Sequence, residues 1–122
     1  MESAVLIVED EKNIASLLGD RLQEEGYQVR VAYTGADALK QLKEKSPDVI
    51  TLDIYLPDAN GLTLLKDIKA NPEMKKIPVI IISSSDDEGD GVKTLGAEGF
   101  FRKPVDFTKL FDMLKTLKTK NP

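Results

Sequence analysis

Residues 50–61 read ITLDIYLPDANG. An apolar run carries one acid, Asp53, and then breaks at a turn rich in Pro, Asp, Asn and Gly. The run begins at Asp48, and DVITLD (48–53) shows no polar alternation, as befits a strand covered on both faces. A carboxylate at the end of such a strand is costly to bury unless it is paired, bound to something or open to a site. Beyond the turn, Gly61–Ala70 carries Leu62, Leu65 and Ile68 at helical spacing. Strand, turn and helix together make one βα unit, with an acid at the strand's carboxyl end.

The same unit recurs along the chain. Ala4–Val8 (AVLIV) is a second continuous apolar run. It leads into Ile14, Leu17, Leu18 and Leu22 at helical spacing, with Gly26 as the stop. Tyr27–Ala32 alternates and reads as a less buried edge strand. Thr34 is placed to N-cap a helix over 35–45 with Ala38, Leu39 and Leu42 inward. Pro78–Ser83 predicts a fourth strand and Gly99–Arg102 a short fifth one. A weak helix is expected over 87–96, where Gly89 and Gly91 each cost about 1 kcal/mol against Ala. Asp106 can cap a last helix with a stripe of Phe107, Leu110, Phe111, Leu114 and Leu117, and the polar tail KTLKTKNP (115–122) is expected to fray. Alternation of this kind predicts an α/β fold with a parallel sheet and helices on both faces. No linker or low-complexity segment interrupts it, so residues 1–122 are expected to form one domain.

Composition removes several chemistries. The chain has no Cys and no His, which excludes disulfides, thiolate nucleophiles, Ser-His-Asp catalysis and His- or Cys-ligated zinc. Its net charge of −4 gives no support to binding nucleic acid. The apolar run near the N-terminus is too short for a signal peptide or a membrane span, so a cytoplasmic location without membrane contact is expected.

In open parallel sheets, ligands bind outside the carboxyl ends of the strands. There the sequence places Glu9, Asp10 and Glu11 after the first strand, Asp53 after the third, Ser83 at the end of the fourth, and Lys103 with Pro104 after the fifth. Clustered carboxylates repel one another, and a divalent cation relieves them. An all-oxygen set favours Mg²⁺, with Mn²⁺ as the alternative. Such a set leaves room for a phosphoryl group, with Ser83 and Lys103 on its oxygens and one carboxylate free as nucleophile.

Four pieces carry a family resemblance: VLIVEDE (5–11), DVITLDIYLPDANG (48–61), IPVIIISSS (77–85) and GAEGFFRKP (96–104). In that order and spacing the chain resembles the receiver domain of two-component response regulators, including the single-domain chemotaxis regulator. The resemblance implies a (βα)5 flavodoxin-like three-layer sandwich with strand order 2-1-3-4-5. It implies that Asp53 accepts a phosphoryl group from the phosphohistidine of a histidine kinase or phosphotransfer domain. Glu9, Asp10, Asp53 and the backbone carbonyl of Tyr55 would hold Mg²⁺. Lys103 would pair with the phosphoryl group, Ser83 and Phe100 would be the switch residues, and Pro104 would follow a cis peptide bond. Output would pass through the surface of the helix over 87–96, the fifth strand and the last helix. It would reach a downstream protein, a covalently linked output domain or a dimer formed on phosphorylation. Such a protein catalyses only its own phosphorylation and dephosphorylation. Whether it stands alone or forms part of a longer protein stays open.

Some positions depart from the family's usual residues. Glu9 stands where Asp is common, Ser83 where Thr is common, and Ser84 where a smaller residue is common and access to Asp53 is wider. Phe100 lacks the hydroxyl of the frequent Tyr, and Asn60 is expected to be a turn residue only. Ser83 and Lys103 are 20 positions apart, shorter than the family's usual spacing, so the helix between them should be short or late. Two other readings are compatible with the residues. A small Mg²⁺-dependent phosphohydrolase would need a second acid two residues after Asp53, where Tyr55 stands. A phosphorylation-independent pseudo-receiver usually lacks one of the acids or the lysine, all of which are present here.

Overall fold

The computed structural model describes residues 3–84 and 95–120, the last three as backbone only. Along the chain run β1 (Ala4–Val8), α1 (Lys12–Glu24), β2 (Gln28–Ala32), α2 (Gly35–Glu44), β3 (Val49–Leu52), α3 (Gly61–Ala70), β4 (Val79–Ser83), β5 (Gly99–Arg102) and α4 (Phe107–Lys120). The five strands are all parallel, in the order β2-β1-β3-β4-β5. This is the flavodoxin-like order expected, with β2 on one edge and β5 on the other.

Alternation along the strands divides the core. Leu6, Val8, Ile50, Leu52, Val79 and Ile81 pack under α2 and α3 with Ala38, Leu42, Leu65 and Ile68. Val5, Ile7, Val49, Ile80 and Ile82 pack on the other face under α1 and α4 with Leu18, Leu22, Leu110 and Leu114. The apolar runs of β1, β3 and β4 are continuous because each must supply both cores.

Local signals set most of the boundaries. Thr34 Oγ1 accepts the Asp37 N–H at 3.0 Å and opens α2. Gly26 closes α1 at φ +92°, a conformation that favours glycine. Asp106 Oδ1 accepts the Lys109 N–H at 3.2 Å and opens α4.

Some expectations fail. Leu17 shares the helical spacing of its neighbours, yet it is 52% exposed, because α1 turns Ala15, Leu18, Gly19 and Leu22 to the sheet. Of the tail expected to fray, the backbone is helical to Lys120 with Leu117 packed against the core, and residues 121–122 lie outside the described residues. Asn60 is more than a turn residue, because its Oδ1 accepts the Leu62 N–H at 2.7 Å and caps α3. The helix expected over 87–96 falls mostly on 87–94, outside the described residues; Leu95 and Gly96 lie in a turn, with Gly96 at φ +99°.

One core position is chemically mismatched. Thr51 is 1% exposed on β3, and its Oγ1 finds no hydrogen-bond partner among the described residues. An unsatisfied buried hydroxyl costs about 1–3 kcal/mol. Thr51→Val keeps the branched shape and removes the hydroxyl. It is expected to raise stability by about 1 kcal/mol, read as a higher urea midpoint with an unchanged slope.

Candidate functional site

The carboxyl ends of β1, β3, β4 and β5 meet at one rim of the sheet. Glu9 follows β1, and its N–H donates to the Ala32 carbonyl at 3.0 Å. Asp53 follows β3 and donates its N–H to the Val8 carbonyl at 2.9 Å. The ladder thus extends past both strands and fixes the two acids side by side. Lys103 arrives from beyond β5, with its N–H on the Ser83 carbonyl at 2.8 Å. The Lys103–Pro104 peptide bond is cis, as the resemblance implied.

Side chains converge on this frame. Lys103 Nζ lies 2.7 Å from Glu9 Oε1 and 3.2 Å from Asp53 Oδ2. Asp53 Oδ1 accepts the Tyr55 N–H at 3.2 Å, and Glu9 Oε2 accepts the Glu11 N–H at 3.1 Å. Glu9 and Asp53 are buried while Asp10 is exposed. One carboxylate oxygen from each of Glu9, Asp10 and Asp53 lies within 4.8 Å of the others.

Three carboxylates face one ammonium here, so the site carries surplus negative charge. Burial pushes the Glu9 carboxyl up to about 7; the Lys103 ammonium and the Glu11 N–H pull against this, and the Asp53 charge adds to it. Burial works against the Lys103 ammonium too, but Glu9 and Asp53 outweigh it and hold Lys103 above its ordinary value. A compact all-oxygen cluster with uncompensated charge suits a hard divalent cation. Glu9, Asp10 and Asp53 can therefore hold a metal.

The remaining expected residues occupy the same rim or the layer below it. Ser83 ends β4 and is fully buried. Phe100 sits on β5 opposite Ile81, half-buried against the α2/α3 core. The Tyr55 side chain is 52% exposed, and its backbone is what engages Asp53.

Residues 5–115 match the family described as the response regulator receiver domain. The chain belongs to the response regulator receiver family. Solved receivers share its fold. The signal receiver domain of a signal transduction histidine kinase from Syntrophus aciditrophicus is 32% identical, with a TM-score of 0.89 over 98% of this chain and 92% of that one. The receiver domain of Francisella response regulator 1452 is 27% identical, with a TM-score of 0.91 over 99% and 100%. The Thermotoga maritima response regulator TrrA, solved in complex with Mg²⁺-BeF, is 31% identical, with a TM-score of 0.86 over 96% and 99%. Among the described residues of this receiver, no helix is long and apolar enough to cross a membrane.

Sequence reasoning missed a cluster at the opposite edge of the sheet, where β4 and β5 begin. Lys69 Nζ reaches the Lys75 and Ile77 carbonyls and the Glu98 carboxylate, at 3.0–3.2 Å, tying the end of α3 to the start of β5. Glu98 Oε1 also accepts the Val79 N–H at 2.7 Å. No local motif announces these pairs.

Asp58 was missed as well. Its carboxylate accepts the Gly35 N–H at 2.8 Å and the Ala36 N–H at 3.0 Å. These two donors hold its carboxyl below the ordinary 3.8. A carboxyl depressed by folding stabilises the fold above its unfolded value, and that contribution is lost as pH falls through the folded value. The Gly35 and Ala36 amide resonances are therefore expected to titrate together with a midpoint below 3.8. In Asp58→Asn that transition should be absent.

Proposed function

We propose that this receiver is a phosphoacceptor switch of a two-component system, with Asp53 taking a phosphoryl group from the phosphohistidine of a histidine kinase or phosphotransfer domain. The observation that carries the reading is the position of Lys103 Nζ between Asp53 and Glu9, beside an acid cluster with surplus charge. An ammonium in hydrogen-bond range of the acceptor carboxylate is also in range of a phosphoryl group attached to it.

In this reading Asp53 attacks phosphorus, an O–P bond forms, and the P–N bond breaks as the imidazole leaves with its electron pair. Asp10, Glu9, Asp53 and the Tyr55 carbonyl would hold Mg²⁺, or Mn²⁺ in its place. When bound, the ion neutralises phosphoryl oxygens and relieves the repulsion among the acids. Lys103 passes from the Asp53 carboxylate to a phosphoryl oxygen, and the Ser83 hydroxyl donates to another. Because Lys103 N–H is bonded to the Ser83 carbonyl, the ends of β4 and β5 move as a unit. Phe100 lies on β5 one register position before the Ile82–Phe101 pair and can follow that movement. The surface of β5, α4 and the segment between Ser83 and Gly99 then changes its partner, a downstream protein, a linked output domain or a second receiver. The protein is cytoplasmic, residues 1–122 act as one domain, and the only reactions it catalyses are its own phosphorylation and dephosphorylation.

NMR with Mg²⁺ and either acetyl phosphate or a beryllofluoride salt tests this, alongside Asp53→Asn. Resonances of Ser83, Phe100 and Lys103 should shift in the wild type. They should stay fixed without Mg²⁺ and in the variant. A wild type that binds Mg²⁺ yet responds to neither reagent would contradict self-phosphorylation. One that binds no Mg²⁺ would favour a phosphorylation-independent interaction module.

A further inference from the structure

The turn between β3 and α3 carries both the acceptor's backbone donor and the carbonyl proposed as a metal ligand. It is folded tightly on itself. Leu56 N–H donates to the Ala59 carbonyl at 3.3 Å, Tyr55 and Asn60 form an isolated antiparallel bridge, and Gly61 N–H donates to the Ile54 carbonyl at 2.6 Å. These bonds close the turn, and buried Ile54 with half-buried Leu56 seats its near end on the core, but neither fixes where its outer end lies.

A contact with a different element does that. Asp58, at the outer end of the turn, places one carboxylate oxygen on the Gly35 N–H and the other on the Ala36 N–H. Thr34 already satisfies Asp37, so the two side chains share the first three N–H groups of α2. The fit extends beyond the hydrogen bonds. A Cβ at Gly35 would lie 3.1 Å from the Ala59 methyl and 3.5 Å from Asp58 Oδ1. The turn therefore rests against the bare backbone of the helix, and glycine is what lets it come so near.

We propose that Asp58 is a positioning residue: by clamping the β3–α3 turn onto the first turn of α2 it holds Tyr55 N–H on Asp53 and keeps the Tyr55 carbonyl at the acid cluster. The metal half of this inference rests on the function proposed above, and the Tyr55–Asp53 half does not. Charge suits the task. A carboxylate on helix N–H groups makes charge-assisted bonds in the favourable field of the helix dipole. The strap also gives α2 a mechanical link to the acceptor that bypasses the sheet.

The test separates clamping from simple helix capping. Thr34→Ala removes a cap from the same helix end without touching the turn, whereas Asp58→Ala removes the strap. Amide hydrogen exchange is read in metal-free protein, after correction for each variant's global stability. Asp58→Ala should speed exchange at Tyr55 and Gly61 roughly tenfold or more, the effect of losing a charge-assisted bond. Thr34→Ala should leave both amides at the wild-type rate. Asp58→Asn, with one acceptor oxygen kept, should fall between wild type and Asp58→Ala. Gly35→Ala should loosen the same amides from the helix side. Equal effects of Thr34→Ala and Asp58→Ala on these amides, or none from either, would overturn the strap. Mg²⁺ titration of the same proteins then reads the second half, with a several-fold weaker affinity expected for Asp58→Ala only. Equal Mg²⁺ affinity in Asp58→Ala and wild type would overturn the metal half. If wild type binds no Mg²⁺ while the Tyr55 and Gly61 amides respond as stated, the strap stands and the metal site falls.

Discussion

Lys103→Met is expected to silence the response to a phosphoryl analogue and, independently, to lower the stability of the metal-free protein by about 2–3 kcal/mol. The two losses have one origin. A single ammonium serves two carboxylates, Glu9 at 2.7 Å and Asp53 at 3.2 Å. Methionine fills much of the same volume and supplies no charge, so both acids are left in a buried setting without their cation. Breaking a fully buried pair costs about 3–5 kcal/mol; Lys103 retains 16% of its side-chain exposure, which argues for less. The measurement is urea denaturation at pH 8, above the value of about 7 to which burial pushes Glu9. Adding Glu9→Gln to Lys103→Met should recover part of the stability, because a neutral amide does not need the cation while Asp53 still does. It should not recover the response, because the phosphoryl group would still lack its lysine. A Lys103→Met protein as stable as wild type would show that the ammonium is solvated and the pairing incidental.

Gly61→Ala is expected to cost about 3 kcal/mol, although it adds one methyl group at a good helix position. The reason is a close approach at the start of α3. The added Cβ would land on the Asp53 carbonyl oxygen and the Ile54 Cα. Both belong to the backbone leaving β3 and cannot rotate aside as a flexible side chain can. The helix would have to retreat, straining the Gly61 N–H bond to the Ile54 carbonyl, now 2.6 Å. The same displacement moves Asp53, the acceptor in the proposed function. Gly61→Ala should therefore weaken the phosphoryl-analogue response along with the urea midpoint. A wild-type midpoint would mean that the turn yields cheaply and that Gly61 is not what sets the approach.

Both predictions bear on how the site is built. Lys103 and Glu9 meet although they are far apart in sequence and β3 and β4 lie between their strands, because all four carboxyl ends share one rim that the long lysine side chain spans. Gly61 lets α3 start directly behind Asp53, so that the short turn between them carries both Tyr55 and Asp58. The site is held on its sheet side by ladder hydrogen bonds and contacts α2 on its turn side.

Much of this was legible in the sequence because the governing physics is local. Continuous apolar runs marked β1, β3 and β4, whose alternate residues feed two cores. Alternation marked β2 as an edge, and Thr34, Gly26 and Asp106 marked helix ends through hydrogen bonds and dihedrals that involve only near neighbours. Acids at the ends of strands could be placed on one rim once the strands were taken as parallel. The tertiary structure alone decided which partners those groups choose. Leu17 follows the helical spacing and is left exposed, because the roll of α1 on the sheet is set by packing with Val29 and Ile7 around Gly19 and not by spacing. Lys103 is shared between Glu9 and Asp53, and Asp58 caps a helix 22 and 23 positions away. Contacts of that kind depend on where the chain returns in space, and no periodicity or neighbour pattern encodes the distance between two side chains on different elements.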